Sequence, residues 1–330
     1  MKEKIRIGVI GLGGISGVHL KNITRSGRAE IVSVCDIDPE KTKARAKELA
    51  AKGYTDFKEM FRKEKIEALC LFTPQMVREE PISICADKHI PVFTEKPPAA
   101  DMESGQRIAK LIKESRIINS VGFIFRYLKI VNRARQLLKG RPILAMQLQY
   151  LCPMMYPDSR ARDFYYKKEL SGGLLIDQAI HLLDFCRFML GEEIVEVEAL
   201  GNNILQRKTK DITTEETVIM NLKSSSRSLV SYFHTWTHRG WQSRVEIFAS
   251  EARLTLDLFN KKLTGVIDGM EIVYSPEDDG YLNEIVAFFE AVSENKPRKI
   301  LSTYADSLKT LDLAFKINES VEREEVIRER

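Results

Sequence analysis

Polar side chains interrupt an apolar stretch near the middle of the chain. Residues 174–190 read LLIDQAIHLLDFCRFML, in which Asp177, His181 and Asp184 stand at i, i+4 and i+7. On a helix this spacing predicts one polar stripe along a largely buried face. Carboxylates one turn to either side favour the charged form of a histidine, which suits it to proton transfer near neutral pH. An internally hydrogen-bonded structural cluster is the alternative. One histidine with two carboxylates is a poor ligand set, so we predict no metal site.

A lysine follows one of the predicted strands. The segment TEKPP places Lys96 directly after the apolar run at 90–94. Open α/β sheets bind their ligands at the carboxyl ends of parallel strands, and Pro97 restricts the backbone of Lys96. A solvated loop lysine is the alternative interpretation.

The first predicted strand ends in a glycine-rich turn. A tight turn at Gly11 and close backbone approach at Gly13 suit a pyrophosphate, which the free amides of a helix start can bind. Ser16 takes the place of the usual third glycine, and a small residue still allows close packing. The predicted cradle consists of Gly11, Gly13, Gly14, Ile15 and Ser16.

A carboxylate at the end of the second predicted strand strengthens this interpretation. Asp36 can accept hydrogen bonds from a ribose diol and would repel a 2′-phosphate, and neither Ile37 nor Asp38 supplies an arginine to hold one. The sequence therefore predicts NAD rather than NADP, with Asp36 and Ile37 beside it. Helix capping is the alternative role for Asp36, but Asp38 already fits that role, with Pro39 in the first turn and Gly53 at the helix end.

Two patterns of elements position these residues. Short apolar runs at 5–10, 31–35, 66–72, 90–94 and 117–123 alternate with helical patterns, which indicates βαβ units and a parallel sheet. After a helix at 128–139, longer strands at 142–151, 217–222, 229–236 and 244–248 indicate a mostly antiparallel sheet, with helices at 174–190, 282–293 and 303–328. We predict a dinucleotide-binding domain over 1–122 and a substrate-binding and oligomerisation domain over 123–330.

Composition narrows the class of protein. The 330 residues are 44% hydrophobic and 30% charged with a net charge of +4, which fits a folded globular chain and excludes disordered and collagen-like ones. Basic and acidic residues are interspersed, so no nucleic-acid surface is expected. The sequence has no run of about 18 apolar residues, so no membrane helix is predicted, and no signal peptide is recognisable. We expect a cytoplasmic protein whose five cysteines are reduced, mostly buried thiols.

The motifs GLGGIS, CDIDPEK, FTP, TEKPPA and GGLLIDQAIHLLD occur in this order. Together they resemble the Gfo/Idh/MocA oxidoreductases, the family of glucose-fructose oxidoreductase and the inositol dehydrogenases, over nearly the whole chain. The resemblance implies a Rossmann dinucleotide-binding domain and an α+β domain with a large, mostly antiparallel open sheet. It also implies a homodimer or homotetramer.

The resemblance also implies roles for single residues. The lysine of the family's EKP motif falls on Lys96, and its D-x-G-x-H motif falls on Asp177 and His181, with Ala179 replacing the central glycine. These three are the expected catalytic residues. Arg78 stands where many members have histidine, so contacts of that histidine do not carry over. The expected cofactor-lining residues of these motifs are Thr73, Pro74, Glu95 and Lys96.

The predicted reaction is hydride transfer between a secondary alcohol of a sugar, inositol or sugar derivative and the nicotinamide. In it His181 takes the hydroxyl proton, Asp177 orients the imidazole or binds a neighbouring hydroxyl, and Lys96 stabilises the developing alkoxide. Two alternatives stay open: a redox-neutral glycosidase or epimerase that uses NAD, and a non-catalytic sensor of NAD or sugar. Core packing is the alternative role for the aromatic members of the expected substrate contacts, which are Arg126, Arg162, Tyr165, His234 and Trp236.

Overall fold

A computed structural model describes residues 3–155 and 162–328. The chain forms two compact units. The first runs to Tyr127 and takes in Asp279–Lys309, and the second comprises Leu128–Asp278 and the residues from Thr310 on. The prediction placed all residues after 122 in one domain, whereas in this division the first unit runs on to Tyr127 and residues 279–309 return to it. The helix Gly280–Glu294 buries Ile285, Phe288 and Phe289 in the first unit's core.

The first unit contains a parallel sheet in the order β3-β2-β1-β4-β5-β6 among the described residues. Its strands are β1 (Ile5–Ile10), β2 (Ala29–Cys35), β3 (Lys52–Tyr54), β4 (Ala68–Leu71), β5 (Val92–Thr94) and β6 (Asn119–Val121). The helices between them are α1 (Gly14–Ser26), α2 (Pro39–Leu49), α3 (Phe57–Lys63), α4 (Glu79–Asp87) and α5 (Met102–Ser115). The strand order reverses between β1 and β4, and ligands of such folds bind at that point.

Burial explains the continuous apolar runs of these strands. Every residue of β4 is buried, and all of β1 except Arg6 is, as expected for a parallel sheet covered on both faces. Local signals also agree, since the Asp38 carboxylate accepts the amides of Glu40 and Lys41 at the start of α2. The prediction for Gly53 is wrong: α2 ends with Ala50 in the left-handed conformation, and Gly53 lies within β3.

The second unit contains a sheet with the order β14-β13-β12-β11-β7-β10-β9-β8-β15 among the described residues. Only the pairing of β7 with β10 is parallel there; the other recorded pairings are antiparallel. Its strands are β7 (Ile143–Leu151), β8 (Ile194–Asn202), β9 (Thr217–Ser224), β10 (Leu229–Thr235), β11 (Gln242–Ala249), β12 (Ala252–Asp257), β13 (Lys262–Ile267), β14 (Met270–Tyr274) and β15 (Ile327–Arg328).

Helices accompany this sheet. They are α6 (Lys129–Leu137), α7 (Arg162–Tyr165), α8 (Lys168–Ser171) and α9 (Ile180–Leu190), with a π-helical segment, Leu175–Ala179, directly before α9. In the first unit α10 (Gly280–Glu294) is followed by α11 (Tyr304–Arg323), which continues into the second. The predicted helix at 303–328 therefore ends earlier, and Ile327 begins the edge strand β15. Across 3–155 and 162–328, no helix has both the length and the apolar character needed to cross a membrane.

Candidate functional site

The glycine-rich turn joins β1 to α1 and forms an open cradle. Gly11 has a φ of +91°, and a Cβ there would lie 2.7 Å from the backbone carbon of Phe72, so only glycine fits. Gly13 is the N-cap residue of α1, and no side chain caps this helix start. A Cβ at Gly13 or Gly14 would meet no atom within 4 Å. The helix start therefore faces open space with unshielded backbone amides, an arrangement suited to an anion.

Ser16 lies on the buried side of the glycine-rich turn. Its side chain is buried, and its hydroxyl donates to the carbonyl of Gly13 at 2.6 Å. The serine thus holds the turn instead of facing the open side. A small residue at the usual third-glycine position is compatible with the close packing of α1 on the sheet.

Asp36 lies just past the end of β2, and its carboxylate is hydrogen-bonded to the same turn. One carboxylate oxygen accepts the amide of Leu12 at 2.7 Å, and the other accepts the amide of Asp38 at 3.0 Å. The two residues that follow on the chain are the largely exposed Ile37 and the helix cap Asp38. A carboxylate has about four lone-pair positions, so Asp36 keeps acceptor capacity for a diol beside the cradle.

A second group of predicted residues surrounds the ends of β4 and β5. Thr73 and Pro74 follow β4, and the Thr73 hydroxyl oxygen is buried without a hydrogen-bond partner among the described residues. Lys96 follows β5 and donates its amide to the Glu95 carboxylate at 2.9 Å. Glu95 is buried, and its other oxygen lies 2.5 Å from His19 Nε2. The Glu95 carboxylate is therefore hydrogen-bonded both to His19 of α1 and to the backbone of Lys96.

Glu284 on α10 joins His19 and Glu95 in a buried cluster. Ligand-type atoms of the three lie within 4.8 Å of one another. Burial favours a raised pKa at Glu95, but the His19 hydrogen bond and the charges of His19, Lys96 and Arg78 outweigh it and lower the pKa. Burial and the nearby Glu95 raise the pKa of Glu284 well above its usual value. The two pKa values are therefore shifted in opposite directions, which favours the charged form of Glu95 and the neutral form of Glu284.

Sequence analysis did not single out His19 or Glu284, although a signal existed. His19 lies on the buried face of α1 with Ser16, Leu20 and Ile23, and Glu284 lies beside Ile285 and one turn before Phe288. A charged or polar residue on an apolar helical stripe is the pattern that marked Asp177 and His181.

Arg126 lies in the 3₁₀ turn Ile124–Tyr127 and is buried in the first unit. Its guanidinium donates to the carbonyl of Leu301 at 2.6 Å and pairs with Asp306 at 2.6 Å. The structure thus ties the predicted sugar-contacting arginine to the segment before α11 and to that helix's first turn.

In the second unit, Asp177 and His181 lie where the helix changes type. Gly172 and Gly173 both have positive φ, and the Leu174 amide donates to the Thr214 hydroxyl at 2.9 Å. Asp177 belongs to the π-helical segment and His181 to the first turn of α9. Short π-helical segments occur frequently at functional sites. Asp177 and His181 are each 9% exposed, so both are nearly buried.

Asp184, the third member of the predicted stripe, belongs to a structural network. It is fully buried and accepts from the hydroxyl of Thr310 at 3.0 Å. The same hydroxyl oxygen accepts from Arg187 at 2.8 Å, and Arg187 also pairs with Glu193. The stripe therefore divides into a pair at the π-helical segment and an internally hydrogen-bonded group further along α9.

The predicted aromatic contacts lie beside this segment. Tyr165 packs edge-on against Trp236, with ring centroids 6.0 Å apart, and burial together with the nearby Asp177 raises the pKa of Tyr165 to about 12. His234 stacks on Tyr150 at 4.9 Å and its Nδ1 lies 2.7 Å from the Tyr232 hydroxyl. Burial lowers the pKa of His234 to about 3, so its imidazole is neutral at pH 7. Trp236 and His234 are fully buried. The side chain of Arg162 lies outside the described residues.

Known proteins share this architecture. Residues 5–123 match the family described as "Oxidoreductase family, NAD-binding Rossmann fold", and residues 133–255 match the GFO/IDH/MocA C-terminal domain. The myo-inositol 2-dehydrogenase of Thermotoga maritima is 24% identical, with 98% of each chain covered. The scyllo-inositol 2-dehydrogenase (NAD(+)) of Bacillus subtilis is 26% identical over 90% of this chain and 88% of that protein. Levoglucosan dehydrogenase in complex with NADH and levoglucosan shares the fold with a TM-score of 0.88, 18% identity and 99% coverage of both chains. With both of its domains matched, the chain belongs to the Gfo/Idh/MocA family of oxidoreductases.

Proposed function

We propose that this protein is an NAD-dependent dehydrogenase that oxidises a secondary alcohol of a sugar, inositol or sugar derivative. The observation that carries the proposal is the open, uncapped start of α1 with the Asp36 carboxylate gripping the same turn. The inositol dehydrogenases among its relatives support the polyol class of substrate.

The residues present fit a nicotinamide dinucleotide. Amides at the start of α1 would hold the pyrophosphate, and Asp36 would accept the ribose hydroxyls. A 2′-phosphate beside Asp36 would meet a like charge, and Ile37 and Asp38 offer no countercharge, which favours NAD over NADP. The buried Thr73 hydroxyl oxygen has unused hydrogen-bonding capacity at the β4 end of the same unit.

Bound NAD supplies the hydride acceptor, and the chain's own groups manage the proton and the charge. His181 takes the proton of the reacting hydroxyl, since a neutral imidazole is a base suited to neutral pH. Asp177 orients that imidazole or binds the neighbouring hydroxyl. Lys96 stabilises the alkoxide as it develops. Tyr165, which lies near Asp177, is our candidate for a sugar contact, and the buried Trp236 packs against it.

The test is formation of NADH by the purified protein with a panel of inositols, aldoses, uronic acids, N-acetyl sugars and nucleotide sugars. We expect NADH with one substrate class, and weaker formation of NADPH when NADP replaces NAD. Asp36→Asn, which keeps one acceptor for the turn, should lower NAD affinity by roughly 10-fold or more, since hydrogen bonds to charged groups contribute about 1.5–3 kcal/mol. Tight NAD binding without NADH from any substrate would contradict the dehydrogenase and favour the redox-neutral enzyme or the sensor.

A further inference from the structure

Arg78 is a buried arginine that the proposed chemistry does not use. It lies between the 3₁₀ turn Gln75–Val77 and α4, and it is 2% exposed. Burial lowers the pKa of its guanidinium to about 10, so the group is still charged at neutral pH. A buried cation needs hydrogen-bond acceptors that compensate for its lost hydration.

Those acceptors are backbone carbonyls on two segments. The Nε and one terminal nitrogen donate to the carbonyl of Thr73 at 3.1 and 2.7 Å. The other terminal nitrogen donates to the carbonyls of Glu95 and Pro97. Arg78 thus bridges the Thr73–Pro74 turn and the residues on both sides of Lys96.

Other buried groups hold the same segment. The Glu95 carboxylate accepts the amide of Lys96 at 2.9 Å, and the Tyr304 hydroxyl donates to the carbonyl of Pro98 at 3.0 Å. The backbone around Lys96 is therefore anchored before, at and after the lysine.

We propose that Arg78 is a positioning residue that clamps the Thr73–Pro74 turn to the 95–97 segment and so sets where the Lys96 ammonium stands. The inference rests on the catalytic role proposed for Lys96. The planar guanidinium carries five donors in a fixed fork and can serve three carbonyls at once. A lysine keeps the charge without the fork, and the two ring nitrogens of a histidine point apart, so neither residue reproduces the clamp.

The first readout needs no substrate. Hydrogen exchange of the peptides covering 94–101 should be at least about fivefold faster in Arg78→Met and Arg78→Lys than in the wild type. Arg107→Met is the matched control, because Arg107 is an exposed arginine of the same unit that pairs with Glu79 and Glu103. It should leave the exchange of 94–101 unchanged. If Arg78→Met and Arg78→Lys fail to fold, Arg78→His takes their place in the same measurement.

The second readout is turnover on the substrate that the panel identifies. We expect kcat to fall by about 10- to 100-fold in Arg78→Met and Arg78→Lys, since small displacements of a catalytic group cost that much. NAD affinity should fall by a smaller factor than kcat, because Arg78 also holds the Thr73–Pro74 turn that is expected to line the cofactor. In a Lys96→Ala background, Arg78→Met should cause no further fall, because a residue acting through Lys96 has nothing left to position.

The outcomes separate the two claims. Unchanged exchange and unchanged kcat in the Arg78 variants would overturn the clamp, and so would an additive loss in the Lys96→Ala background. Faster exchange in Arg78→Met together with no NADH from the wild type would leave the clamp intact and overturn the proposed function.

Discussion

At the scale of single residues, Glu284 and Glu95 lie in one buried cluster, and their surroundings shift the two pKa values in opposite directions. Glu95 has the partners that stabilise a carboxylate, namely His19 and the Lys96 amide. Neither carboxyl oxygen of Glu284 has a hydrogen-bond partner among the described residues, and the side chain is fully buried. The raised pKa of Glu284 favours its neutral form and so reduces repulsion between two carboxyls at close range.

This arrangement predicts how stability depends on pH. Folding raises the pKa of Glu284, so its contribution is complete below the unfolded value of about 4.3 and is lost as pH rises through the folded value. Glutamine stays neutral throughout. We expect Glu284→Gln to raise the free energy of unfolding at pH 8 by roughly 1 kcal/mol or more, with the difference vanishing near pH 4. Denaturant unfolding across pH measures both.

Glu294→Gln on the same helix is the matched control. Glu294 is paired with Lys296 and Lys299, which lower its pKa to about 2. Its contribution therefore has the opposite sign and is lost as pH falls, so this variant should gain no stability at pH 8. A loss in Glu284→Gln of equal size at every pH would show that folding does not raise the pKa of Glu284.

Sequence patterns identified candidate residues from their type and spacing, but they did not show which other residues these side chains contact. The glycine turn, Asp36 and the cap Asp38 follow local rules and could be predicted. The bond from Asp36 to the Leu12 amide, the engagement of Glu95 by His19 and the pairing of Asp184 with Thr310 join distant parts of the chain. No spacing within one helix reveals such contacts.

At the scale of elements, two glycines of the β1–α1 turn have different roles: Gly11 is needed for the fold of the turn, and Gly13 leaves room for a ligand. An alanine at position 11 would have to adopt a φ of +91°, and its methyl group would clash with the backbone of Phe72. A methyl group at position 13 would meet no atom within 4 Å. We expect Gly11→Ala to lower the free energy of unfolding by about 1–3 kcal/mol and to weaken NAD binding. Gly13→Ala should change stability by less than about 1 kcal/mol and still weaken NAD binding, because its methyl group occupies the cradle.

Thermal unfolding and titration calorimetry with NAD check this pair. Equal stability losses in both variants would contradict the open cradle. Undiminished NAD affinity in Gly13→Ala would mean that the dinucleotide does not approach this turn.

Sequence periodicity predicted the elements better than their ends or types. The alternating runs predicted the parallel sheet, because buried strands and amphipathic helices have distinct periods. The π-helical segment could not be predicted, since its residues continue an apolar helical pattern into α9. The return of α10 to the first unit was also missed, because an apolar stripe indicates burial and does not say against which sheet.

At the scale of the whole molecule, the sheet of the second unit carries exposed apolar side chains. Leu200 is 64% exposed and Ile219 50% exposed; these two are paired across β8 and β9, and Ile219 pairs with Phe233 on β10. Apolar side chains side by side on an outer sheet face favour association. We propose that two copies of the chain pair through this face, as the predicted homodimer or homotetramer requires.

Ile219→Glu tests this pairing, because it places a charge in the centre of the row. We expect the variant to have a lower mass than the wild type in light scattering at equal concentration, with its far-UV circular dichroism unchanged. Arg62→Glu, at an exposed position of α3 in the first unit and not on this sheet, is the control and should keep the wild-type mass. A monomeric wild type, or an Ile219→Glu assembly of unchanged size, would contradict the proposal.

Oxidation of a polyol with His181 as the base is tested most directly by one comparison of rates. The rate of NADH formation on the best substrate is measured for the wild type, for His181→Gln and for His89→Gln, an exposed histidine of the first unit. Loss of a general base should lower kcat by roughly 10²- to 10⁴-fold, with NAD affinity nearly unchanged and His89→Gln fully active. Near wild-type turnover by His181→Gln would contradict the proposal that His181 is the base.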